Sequence, residues 1–114
     1  MGISANDIFD EMMASARGAF DDGWRFVSTY APTEFRKMAV QLEEIANNVA
    51  KYENDNTQGY SPETGKLLFK MQKSACESVL VAVTQLTLIA VQNAINAILK
   101  VLTDTFGGVI AALV

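Results

Sequence analysis

The stretch SVLVAVTQLTLIAVQNAINAIL, Ser78 to Leu99, runs for 22 residues without a charged side chain. It is long enough for a membrane span, which needs about 20 apolar residues. Its apolar side chains would favour insertion, but Gln85, Gln92, Asn93 and Asn96 oppose it. An amide placed in hydrocarbon without a partner costs on the order of 2–7 kcal/mol. No aromatic belt flanks the segment, so a membrane span is not favoured.

The flanks extend the stretch into a single predicted helix. Ser61, Pro62 and Glu63 open it, with Ser61 as cap, Pro62 in the first turn and Glu63 at the positive end of the dipole. No stop signal follows until Gly107 and Gly108, so the reading gives one rod over 62–106, roughly 60 Å at 1.5 Å per residue. Upstream, Phe9, Met12, Met13, Ala16, Phe20, Trp24 and Val27 recur at helical spacing and predict a first helix over 5–30. Phe35, Met38, Leu42, Ile45, Val49 and Tyr52 alternate steps of three and four and predict a second over 33–52. The polar run ENDNTQGYS is a loop over 53–61. The fold class is therefore all-α: one domain of two shorter amphipathic helices and one long apolar C-terminal helix, a helical hairpin or bundle that packs in an oligomer.

Composition narrows the function. Residues 1–60 carry ten acidic and five basic side chains, and 61–114 carry three and four. No basic stripe exists to replace phosphate counterions, which argues against nucleic acid as a partner. There is no histidine and a single cysteine, Cys76, whose apolar surroundings suit a small buried hydrophobe. The adjacent carboxylates Asp21–Asp22 and Glu43–Glu44 diverge by about 100° on a helix and converge on no site. No glycine-rich phosphate loop, zinc or calcium pattern occurs. The sequence thus predicts no catalysis, no cofactor and no metal.

On the predicted rod, Leu80, Val83, Leu86, Leu88, Val91, Ile95, Leu99 and Leu102 point to more than one side. Two amphipathic helices cannot cover all of such a rod, so these residues form the expected assembly interface between copies of the chain. Gln85, Gln92 and Asn96 form an uncharged polar strip suited to a wetted lumen. The predicted function is that of a self-assembling structural subunit of a helical filament or channel. A small helical carrier or chaperone binding an apolar ligand or partner helix is the alternative, and a membrane-inserting helical protein the second.

Residues 60–102, with the motif SPETGKLLFKMQ from Ser61 to Gln72, resemble the C-terminal half of type III secretion needle and inner-rod subunits. The resemblance implies a long helix lining the channel of a filament, with Gln85, Gln92 and Asn96 toward the lumen. It also implies homo-oligomerisation, secretion partners, and cytoplasmic synthesis followed by export into an extracellular or envelope-spanning assembly; a virion subunit of unrelated descent, with virion assembly partners, satisfies the same physics. The acidic N-terminus MGISANDIFDEMM has no basic region followed by an apolar run, so no cleavable signal peptide is expected.

Overall fold

A computed structural model describes residues 3–114 and is helical nearly throughout. The first helix, α1 (Ala5–Phe20), starts where the Ser4 hydroxyl accepts a hydrogen bond from the Asp7 amide at 3.1 Å. A second cap comes from across the fold: the Glu43 carboxylate accepts from the Ala5 amide at 2.7 Å. This carboxylate satisfies one of the free donors at a helix N-terminus and complements its positive dipole end.

The predicted helix over 5–30 is interrupted. Asp21 takes φ 52°, and Asp21–Gly23 form a short 3-10 turn before α2 (Trp24–Val27). Helix α3 (Ala31–Asn54) then carries Phe35, Met38, Leu42, Ile45 and Val49 into the core. Phe35 lies against Phe20 with ring centroids 6.5 Å apart.

The loop after α3 is closed by local hydrogen bonding. The Asp55 carboxylate accepts from the Thr57 amide and hydroxyl at 3.0 and 2.8 Å, and these bonds hold its carboxyl below the ordinary value. Gly59 sits at φ 61°, where an added Cβ would meet the Asn48 carbonyl oxygen, so only glycine fits this turn.

The predicted rod over 62–106 is two helices, α4 (Pro62–Thr84) and α5 (Leu88–Phe106). Gln85 adopts a left-handed conformation at φ 64° and ends α4. Thr84 donates its hydroxyl to the Leu80 carbonyl at 2.5 Å and accepts from the Leu86 amide at 3.2 Å. Thr87 then caps α5 by accepting from the Ala90 amide at 3.1 Å. Two threonines thus close one helix and open the next within four residues. The chain folds back, and Asn96 in mid-α5 shares a cavity wall with Lys70 and Lys73 of α4. Glycine tolerates the left-handed region without the Cβ penalty that Gln85 carries. Gln85→Gly should therefore stabilise the fold by about 0.5–1 kcal/mol, read from chemical denaturation, whereas a net loss would contradict this turn geometry.

Gly107, at φ 57°, turns the chain into α6 (Gly108–Leu113). That short helix returns to the start of α4. A Cβ on Gly65 would lie 2.9 Å from Ile45 and Val49 methyls and 3.0 Å from Leu113, so the missing side chain lets three helices meet. Helix α1 packs mainly on α5 and α3, α3 also holds α4, and the hairpin α4–α5 closes the bundle. The molecule measures 45 × 22 × 19 Å.

Candidate functional site

The residues expected to join copies of the chain divide sharply. Leu80, Val91, Ile95, Leu99 and Leu102 are buried within the chain itself. Leu86 is half-buried, with its methyls beside Gly23 of the 3-10 turn. Only Val83 and Leu88 are exposed. The interface expected along α5 is therefore corrected: α1 covers most of it. The reason lies in the fold-back. Val91, Ala94, Ile95, Ile98, Leu99 and Leu102 recur at three and four residues and form one stripe, which a single bundle can cover.

The turn divides the polar strip. Gln85 is exposed in the turn, Gln92 is half-buried on α5, and Asn96 is exposed beside α4. Gln92 and Asn96, four residues apart, keep a common side of α5, and Gln85 lies apart from them. Ser61 does act as cap, accepting from the Thr64 amide at 3.3 Å, with Pro62 and Glu63 in the first turn.

Among the described residues a different surface is left without a neighbour: the outer side of α4. Leu67 is 64% exposed and Met71 68% exposed, and Leu68 and Val79 are also open. Ser74, Ala75, Ser78 and Ala82 complete the same side, all exposed and uncharged. This face was not singled out in the sequence, because a two-sided rod hides which side is spare. Its inner counterpart gives it away: Gly65, Phe69, Cys76 and Leu80 recur at steps of four and seven and take the buried side. Beside the outer face, an open groove of about 460 Å³ runs between α3 and α4, lined by Ile45, Leu68 and Met71 together with the polar Gln41, Glu44 and Asn48. A smaller apolar surface lies at the far end of the bundle, where Leu88 and Ile89 open α5.

Beneath the α4 face lies an ionisable cluster. Glu34 and Glu77 are both buried, Glu77 to 3% exposure. Lys37 reaches Glu34 at 3.1 Å and Lys73 reaches Glu77 at 3.1 Å. The Glu77 Oε2 atom has charge compensation from Lys73 but no hydrogen bond of proper geometry. Each pair lies within one helix, Lys37–Glu34 in α3 and Lys73–Glu77 in α4, and offsets the desolvation of its own carboxylate.

Cys76 is fully buried beside these groups. Burial first, and then the nearby Glu34 and Glu77 carboxylates, push its thiol up to about 12 from 9.0. A thiol in this state is a poor nucleophile. At pH 8 the folded protein should resist iodoacetamide and the denatured chain should react fully; fast labelling without denaturant would contradict this burial. Between about pH 9 and 12 the unfolded chain gives up the proton that the folded chain keeps. Stability therefore falls as pH rises through that window.

Among the described residues no group of three His, Cys, Asp or Glu could hold a metal ion. Among them too, no helix is long and apolar enough to cross a membrane. No protein-family model, curated protein or solved structure matches the chain.

Proposed function

We propose that the protein is a structural subunit that assembles with copies of itself, using the outer face of α4. The supporting observation is that a 23-residue helix presents an uncharged outer side, rich in Leu and Met, to which no other element of the described residues packs. Monomeric proteins rarely leave a contiguous apolar patch of this kind open, and such patches mark interaction sites. Enzymatic work has no visible instrument, since the chain lacks histidine and its one thiol is buried and protonated.

Growth beyond a pair into a filament or channel needs a second, different surface, because a heterologous contact that does not close on itself propagates. The apolar end around Leu88 and Ile89, the latter 70% exposed, supplies a candidate. This reading keeps the needle and inner-rod resemblance as a proposal about architecture, while moving the contact from α5 to α4. The groove beside Leu68 and Met71 favours a second reading, a module that receives the helix of another protein.

Sedimentation velocity over a hundredfold concentration range, with electron micrographs of the concentrated sample, separates the two. The first reading expects the mean mass to rise with concentration and ordered particles to appear. A constant monomer mass throughout would overturn it and leave the partner-helix module.

A further inference from the structure

We infer that two copies pair through α4 in antiparallel fashion, about a two-fold axis at the level of Lys73. This deepens the self-assembly reading above and rests on it. On the outer side of α4, Thr64, Leu68, Met71, Ala75, Ser78 and Ala82 follow at steps of four and three, all exposed and none charged. That spacing is the seam of a helix built to lie along another helix.

The seam is unequal from end to end. Its N-terminal half holds the bulky Leu68 and Met71, and its C-terminal half holds only Ala75, Ser78 and Ala82. Parallel pairing in register would press bulk against bulk and leave the small half gaping. Antiparallel pairing sets Leu68 over Ser78, Met71 over Ala75 and Thr64 over Ala82 of the second copy. Each large side chain then meets a small one, and helix axes can approach closely. The surface is complementary to itself, as a two-fold interface requires.

Charge does not oppose the pairing. Lys66, Lys70 and Lys73 lie on the flank of α4 turned toward α5 and α6, where they line a cavity with Phe69, Asn96 and Leu113, so the seam itself carries no charge. Lys73, at the level of the axis, is turned inward to Glu77 and puts no charge on the seam.

The test uses two full-length single variants, Leu68→Cys and Ser78→Cys, oxidised separately and as a mixture. Cys76 is buried and its thiol stays protonated, so it contributes no cross-link. A disulfide needs Cα atoms within about 7 Å. In the proposed pair position 68 faces position 78, whereas equal positions lie ten residues, or about 15 Å, apart along the axis. The expected result is a mixed disulfide that dominates the mixture, with little dimer from either variant alone. Efficient disulfides between equal positions would overturn the antiparallel arrangement while leaving self-assembly in place. A wild-type dimer in sedimentation without any of these cross-links would remove α4 as the contact. Monomer at every concentration, with no cross-link, would overturn both the pairing and the self-assembly reading.

Discussion

Ile95→Ala should lower the stability of the isolated chain by about 2–5 kcal/mol, as expected when a buried isoleucine is cut back and the site only partly collapses. Ile95 is fully buried on α5, in the stripe that packs on α1. Ile95→Asp should do more. An unpaired carboxylate there costs several kcal/mol even after relaxation, a large part of the roughly 5–15 kcal/mol that holds a domain together. The variant should be unfolded at neutral pH, read by far-UV circular dichroism and by loss of the cooperative denaturation transition. Had α5 been a surface between copies, the same change would have left a folded, dispersed monomer. Finding that monomer would contradict the burial described here.

Met71→Lys should have the opposite signature. Met71 is largely exposed, and its neighbour across the α3–α4 groove is Glu44, so the ammonium can remain solvated in the free chain. Surface changes of this sort alter stability by about 0.5 kcal/mol or less. In the pair, two such charges would be taken from water close to the two-fold axis and set against Ala75 of the second copy. At several kcal/mol for each desolvated ion, and tenfold in affinity for every 1.4 kcal/mol, association should weaken by about a thousandfold or more. Met71→Leu, nearly equal in volume and still apolar, should keep the association. Sedimentation of the three proteins at one concentration reads the difference. Unchanged association in Met71→Lys would take the outer face of α4 out of the account.

The two changes together show where sequence was enough and where it was not. The helical period of α3 was plain, because Phe35, Met38, Leu42, Ile45 and Val49 form one stripe and all five are buried. The cap at Ser61 was plain too, accepting a hydrogen bond from the Thr64 amide three residues on. The turn at Thr84–Thr87 was hidden because its residues are neither glycine nor proline. Threonine is tolerated inside a helix, and its role as a cap is visible only when its hydroxyl finds a free amide.

That one missed turn accounts for the misplaced interface. Extending a single helix through Gln85, Leu86 and Thr87 at about 100° per residue sets Val79, Val83 and Leu86 on one side of an imaginary rod and Leu80, Leu88, Val91 and Ile95 on another. Folded back, each helix has one apolar side toward the core. The surplus then lies on α4, where Leu67, Leu68 and Met71 have no cover. The role of Glu43 was hidden for a different reason: it caps α1 across 38 residues of sequence, and no local pattern announces such a contact.

The fold-back itself is open to direct measurement. Nitroxide labels placed on Glu63→Cys and Asp104→Cys in a Cys76→Ala background, both at exposed positions, report the distance between the start of α4 and the end of α5. The hairpin described here brings these ends together, and the measured distance should be on the order of the 22 Å width of the molecule. A continuous helix through the turn would hold them about 60 Å apart. A population at that longer distance, in the free chain or in its assemblies, would contradict the fold and return the interface to α5.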